Sequence, residues 1–189
     1  GILRMASEED GGKIIRHILG NDEKKVVADL AEETGLKGEE VTRGLASIAP
    51  ALLSALSAHI GEMTANGAYL NYLNKWERDF YYADEVCMEV NSGGFEGYLY
   101  YHGSHFTKAC QAFGRIGAER MLQLMNRIQC KFPRNRIPKA ENAIQNAMDR
   151  MDKDGIDFND EDEIYYSSAE KELLDRLLIY VKENEKHFR

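Results

Sequence analysis

Apolar residues recur along most of this chain at intervals of three and four, the period of helices that bury one face. Runs alternating with period two are nearly absent, so the pattern predicts helices throughout and no sheet. It is longest where Leu70, Leu73, Trp76, Phe80, Ala83, Cys87 and Val90 follow one another. That stripe predicts one long helix starting at Ala68 and ending in Gly93-Gly94. Two adjacent glycines reach positive φ at low cost, so the helix is expected to stop there and the chain to reverse. Phe95, Tyr98 and Leu99 take up the helical spacing again at once. The stretch Glu89-Val90-Asn91-Ser92-Gly93-Gly94-Phe95 is thus read as the corner of a helical core, with Asn91 capping backbone groups that the turn leaves open.

Shorter stripes fill the rest. A polar lead-in ends at Gly11-Gly12, one helix carries Ile14, Ile15 and Ile18, and another carries Val26, Val27, Leu30, Ala31 and Thr34 up to Gly35. A third carries Val41, Leu45 and Ile48 before Pro50, and Leu52, Leu53, Leu56 and Ile60 continue the helical period from there. Glu62 to Gly67 is a polar break with Asn66-Gly67 as its turn signal. It divides the chain into a small helical domain, 1–62, and a second all-helical domain, 68–189. In the second, Ser104 is expected to cap a helix bearing Phe106, Ala109, Cys110 and Phe113. Met121, Leu122, Met125 and Ile128 mark the next helix, which Pro133 ends, and Pro138 opens one with Ala140, Ile144, Ala147 and Met151. Ser167 and Glu170 have capping-box spacing for a last helix bearing Leu173, Leu174, Leu177 and Val181. The expected fold class is all-α: a helical bundle-like domain preceded by a small helical one.

Charge narrows the partners. Lys and Arg number 24 against 32 Asp and Glu, a net charge of −8. That balance disfavours direct binding of nucleic acid, where cations must replace phosphate counterions, and suits a basic partner. Charge is also segregated, with +6 between Arg115 and Lys139 and −6 between Asp149 and Glu163. Opposite segments of this kind ordinarily screen each other or face water. Displayed together, Asp152, Asp154, Asp157, Asp160, Glu161, Asp162 and Glu163 make an acidic surface that a basic protein can read.

Cys87, Cys110 and Cys130 are odd in number and widely spaced within helical patterns, so they read as reduced core cysteines rather than a disulfide framework or zinc knuckle. No apolar run reaches the roughly 18 residues a membrane helix needs, and no secretory leader pattern is present. Membrane binding is not expected, and the cytoplasm is the expected location.

Little points to catalysis. Ala31, Gly35 and Val41 have helix-turn-helix spacing, but Glu39 and Glu40 would face phosphate and only Arg43 favours DNA, so simple helix packing is the reading. The run from Asp152 to Asp157 misses the calcium-loop spacing: with Gly155 at the turn position, Arg150 falls on the first ligand position. His102 and His105 are three apart, close in sequence to Glu96, and lack a third ligand at fixed spacing. They read as surface or capping residues, and no metal site is assigned. Glu85 and Glu89 share a helix face but name no second element of a mechanism. With no phosphate loop, nucleophile elbow or dinucleotide fingerprint, no catalytic residue and no cofactor is assigned. The competing class is an enzyme or small-ligand binder with a pocket beside Glu89, Asn91 and the aromatic run Tyr98 to Tyr101.

From Trp76 to Leu122, the order Phe80, Glu89-Val90-Asn91, Gly93-Gly94-Phe95, Tyr98 and Ile116-Gly117-Ala118 resembles the bacterial family named for DNA-mimic proteins, over about residues 68–189. The resemblance implies an all-helical domain, a homodimer, and surface carboxylates that imitate DNA phosphates and occupy a DNA-binding protein such as a transcription factor. Glu96, Gly97 and Tyr101 depart from that family's pattern, in which glutamine and asparagine are frequent near the aromatic run. Residues 14–60, with Ile18-Leu19-Gly20, Thr34-Gly35-Leu36 and Ala49 to Leu53, resemble a second bacterial all-helical domain of unknown function, which implies a boundary and no activity. The leading expectation is a non-enzymatic interaction protein. Residues 63–189 carry 17 basic against 21 acidic groups, so phosphate mimicry requires the acidic loop to project away from the basic helix.

Overall fold

A computed structural model of the chain describes residues 23–35, 37–64 and 70–188. The lead-in to Gly12 and the helix expected over Ile14 to Ile18 lie outside the described residues. Every element among the described residues is helical, as the periodicity predicts. These residues divide into two compact units, one formed by Leu73–Leu177 and the other by the described chain up to Tyr72 with the segment from Leu178.

In the amino-terminal unit, α1 (Glu23–Thr34) packs on α2 (Gly38–Thr64). Gly35 stops α1 at φ +70, and its N–H returns to the Ala31 carbonyl at 2.9 Å. Glu40 accepts the Lys37 N–H at 2.8 Å and so starts α2. The period that continues past Pro50 belongs to the same helix, so α2 runs through the proline to Thr64. Proline removes one ladder hydrogen bond, at about 3 kcal/mol in a helix interior. Val41 before it and Leu53 and Ile60 after it are all buried, and that apolar burial offsets the loss.

The larger unit begins with α3 (Lys75–His102), later than the stripe predicts: Leu70–Tyr72 is a separate short turn. Asn74 sets the start. Its side chain accepts from the Trp76 and Glu77 N–H groups at 2.9 and 3.1 Å, and Glu77 accepts the Asn74 N–H at 2.8 Å, a complete capping box. Then follow α4 (Phe106–Ile116), α5 (Glu119–Lys131), α6 (Glu141–Lys153), α7 (Asn159–Ile164) and α8 (Glu170–Glu183). Ser104 sits in the tight turn Gly103–His105 and does not cap α4. Pro138 precedes α6 rather than opening it. Ser167 and Glu170 form no capping box, because the chain passes from α7 into α8 through a π turn at Tyr165–Ala169. The Ser167 and Ser168 hydroxyls instead donate to the Ile164 carbonyl, where the wide turn opens.

Helix α3 packs against α4 and α6, α4 against α5, and α5 against α7 and the π turn. Phe80, Val86, Val90, Phe95, Tyr98, Leu99, Phe113, Met125, Ile128 and Tyr165 are completely buried. Each large apolar side chain so placed contributes about 1.5–3 kcal/mol. The corner within α3 falls where the glycine pair predicts, at Gly93 (φ −146, ψ 19) and Gly94 (φ 66, ψ −175). The Gly94 conformation is essentially closed to residues with a Cβ.

Two groups from the α7 segment hold the corner. Asp162 accepts the Phe95 N–H at 2.8 Å, so it caps the second half of α3 from another helix. The Tyr166 hydroxyl donates to the Val90 carbonyl at 2.9 Å, in the last turn of the first half. Asn91, expected as the cap, turns to other partners described below.

A Cβ on Gly94 would lie 2.5 Å from Asp162 Oδ2, so the two residues are coupled. Gly94→Ala is expected to cost about 2 kcal/mol or more, and Asp162→Ala about 1–3 kcal/mol through the orphaned Phe95 N–H. In a double-mutant cycle followed by urea unfolding, Gly94→Ala should cost less on the Asp162→Ala background, where the clash is gone. Additive losses would show that the two residues do not press on each other.

Candidate functional site

The acidic segment does not behave as one surface. Gly155, at φ +72, ends α6, and the Ile156 N–H reaches back to the Met151 carbonyl at 2.8 Å, so Asp152 to Asp157 form a helix stop. Asp152, Asp154, Asp157, Asp160 and Glu163 are exposed; Asp157 also accepts the Asn159 N–H at 3.1 Å at the start of α7. None of the five takes part in the ion pairs among the described residues.

Glu161 and Asp162 differ. Glu161 is buried, 1% exposed, and meets Lys131 Nζ through Oε2 and Arg127 Nε at 3.5 Å through Oε1. Lys131 also donates to the Asp157 carbonyl at 2.7 Å and lies over the Phe158 ring. Asp162 is spent on the glycine corner, where burial raises its pKa and the Phe95 N–H opposes the rise. The +6 and −6 segments therefore meet where Arg127 and Lys131 reach the buried Glu161 carboxylate. Elsewhere, Arg115 of the basic segment clasps the buried Asp79 with Nε at 2.7 Å and with Nη2.

The residues of the competing ligand-site reading go to different partners. Asn91 donates to Glu170 Oε1 at 2.9 Å and to the Tyr165 hydroxyl at 3.3 Å. Tyr98 is completely buried, whereas Tyr100 and Tyr101 are exposed and stack edge-on at 5.2 Å. Glu89 faces His102, 3.3 Å from its Nε2.

That last contact belongs to a cluster that sequence spacing missed. Glu85 and His102 stand at equal distances on either side of the glycine pair, so folding at the corner brings them face to face. His102 Nδ1 lies 3.2 Å from Glu85 Oε1, and His105 Nδ1 lies 2.8 Å from Glu85 Oε2. The Tyr81 hydroxyl donates to Glu85 Oε1 at 2.9 Å; burial, then the Glu85 charge, raises the pKa of that hydroxyl. Glu96, the nearest carboxylate in sequence, is exposed. The signal in the sequence was the symmetry about Gly93-Gly94, not proximity.

Among the cysteines, Cys87 is buried and Cys110 partly so, with its thiol pushed by burial up to about 11. Cys130 departs from the core reading: it is exposed, two positions past the buried Ile128 and hence on the other side of α5. No helix among the described residues is long and apolar enough to cross a membrane.

The chain belongs to the DMP19-like proteins, whose family model covers residues 71–184. Residues 2–59 match a bacterial protein family of unknown function, DUF937. Neither a curated protein nor a solved structure matches the chain.

Two outcomes test the interior charges. Lys131→Met should cost about 3 kcal/mol in urea unfolding, since it leaves the Glu161 carboxylate buried with only Arg127 nearby. Adding Glu161→Leu should recover most of that loss; failure to recover it would show that Lys131 acts mainly through packing on Phe158.

Glu170, 1% exposed, has its pKa raised above the ordinary 4.5 by burial, against the lowering effect of Asn91 and Tyr165. A carboxyl raised in the folded state contributes stability that is fully present below its unfolded pKa and is lost as pH rises through its folded pKa. Wild type should therefore lose stability relative to Glu170→Gln as pH is raised from about 4.5 toward neutrality. Parallel thermal-midpoint profiles for the two proteins would contradict this.

Proposed function

We propose that this chain is a non-enzymatic, acidic interaction protein that acts as a DNA mimic, presenting carboxylates to the basic surface of a DNA-binding or regulatory protein. The observation that carries the reading is the exposure of Asp152, Asp154, Asp157, Asp160 and Glu163 around the end of α6 and the start of α7. Membership of the DMP19-like family supports it. So does the pairing of part of the opposing charge, since Glu161 engages Arg127 and Lys131 and Asp79 engages Arg115. The partner surface is read as five carboxylates rather than seven, with Glu161 and Asp162 serving the fold.

We assign this role to the second domain, 68–189, acting as a homodimer in the cytoplasm, and assign none to residues 1–62. The competing reading, an enzyme or small-ligand binder, has weaker support because Glu89, Asn91 and the tyrosines diverge to separate partners.

The test is capture of a DNA-binding protein from the source cell by the full chain. Double-stranded DNA and added salt should both release the captured protein, as expected when carboxylates occupy a phosphate-binding surface. The variant with the five exposed carboxylates changed to Asn or Gln should lose capture while keeping its thermal midpoint. Undiminished capture by that variant, or a captured protein that DNA does not displace, would refute the proposal.

A further inference from the structure

We propose that Glu85, His102 and His105 form a binding site for a divalent transition-metal ion of the zinc type, with Glu89 holding His102 in orientation. The three side chains each offer one donor atom, and these atoms all lie within 4.8 Å of one another. The Glu85 carboxylate stands 2.8 Å from His105 Nδ1 and 3.2 Å from His102 Nδ1. A tetrahedral zinc ion bound at about 2.0–2.1 Å keeps its donors roughly 3.3 Å apart. The two imidazole–carboxylate distances, made to different Glu85 oxygens, fall below that value, and side-chain rotation would bring the full donor set, now within 4.8 Å, around one ion. Two imidazoles with one carboxylate suit zinc and its first-row neighbours and disfavour magnesium and calcium, which take shells of oxygen.

The surroundings pre-position each donor. Glu85 is buried, and the Tyr81 hydroxyl holds its Oε1. Glu89 Oε1 lies 3.3 Å from Nε2 of His102, on the opposite side of the ring from the nitrogen that faces Glu85. A carboxylate at that second nitrogen fixes the tautomer and ring direction of a metal-bound histidine. The His105 ring packs edge-on to Tyr82 at 5.3 Å. Between the two histidines, Gly103 presses on α6, where an added Cβ would meet Ile144 Cγ2 at 3.1 Å. The histidine side chains are 33% and 25% exposed, which leaves a path for the ion and a face for a water as fourth ligand. Metal-free, the same groups bond to one another, so folding does not depend on the ion.

Zinc titrated into the untagged full-length protein should bind at about one equivalent with micromolar or tighter affinity and raise the thermal midpoint by several degrees. Calcium and magnesium should do neither. His102→Gln and His105→Gln should each weaken zinc binding by about tenfold or more and abolish the zinc-induced rise over that variant's own metal-free midpoint, and Glu89→Gln should weaken binding by roughly 10–100-fold. Cobalt in place of zinc should give the intense visible bands of a low-coordinate site, and these bands should vanish in His105→Gln. Should Glu85→Gln fail to fold, the two histidine variants decide the matter. Absence of zinc uptake at submillimolar metal, or uptake unchanged in both histidine variants, would overturn the assignment.

Discussion

The fold of the larger unit depends on how one short segment satisfies a broken helix. When α3 turns at Gly93-Gly94, it leaves carbonyls open at the end of its first half and N–H groups open at the start of its second. Asp162 supplies an acceptor to Phe95 and Tyr166 a donor to Val90, so α7 and the π turn serve both open ends. The lack of a Cβ on Gly94 lets the carboxylate approach that closely. The corner then buries Phe95 edge-on against Tyr165 and turns Tyr98 and Leu99 into the core. It also carries His102 back to Glu85. Core packing and the histidine cluster are consequences of one backbone reversal.

The acidic segment divides its labour by helical position. On α7, Glu161 points inward to Arg127 and Lys131 and Asp162 to the corner, while Asp160 and Glu163 remain exposed. A carboxylate buried beside two cations adds little net stability compared with a well-packed apolar side chain, but it strongly penalises any register in which its partners are absent. That penalty makes Glu161 a determinant of how α7 docks on α5. The same acidic density that looks like a surface in the linear sequence is, in part, an attachment.

Much of this was legible in the sequence, and the misses have physical causes. Periodicity places α3, α4, α5, α6 and α8 and much of their buried faces, because an amphipathic stripe records burial directly, although Ala140 lies exposed just before α6 and Met148, outside the expected stripe, is buried. The glycine corner was visible because positive φ selects for glycine. Starts and stops were harder. The Asn74 and Glu77 box lay inside an apolar stripe that suggested an earlier start, and Pro50 did not break α2, whose stripe continues beyond it. Ser167 and Glu170 had the spacing of a cap without the role, since the chain enters α8 already helical through the π turn: Glu170 goes to Asn91 and the serines to Ile164. Charge counts could not show which carboxylates face inward. Glu161 and Asp162 are chemically indistinguishable from Asp160 and Glu163 until their partners, far away in sequence, are folded against them.

This division bears on how acidity relates to function. Net charge alone treats all carboxylates of 149–163 alike, yet removing Asp162 opens the corner and removing Glu161 strands Lys131 in a partly buried site. Either change would diminish any binding activity by loosening the fold, and neither would reveal a contact with a partner. Asp152, Asp154, Asp157, Asp160 and Glu163, by contrast, are exposed, so a loss of binding at unchanged stability has a single meaning there. Under the proposed DNA-mimic reading, phosphate mimicry would rest on a sparser set of charges than the composition suggests, arrayed on a helix stop and the outer face of one short helix. In that reading the inner carboxylates would contribute only indirectly, since Glu161 and Asp162 fix the backbone on which the exposed set lies.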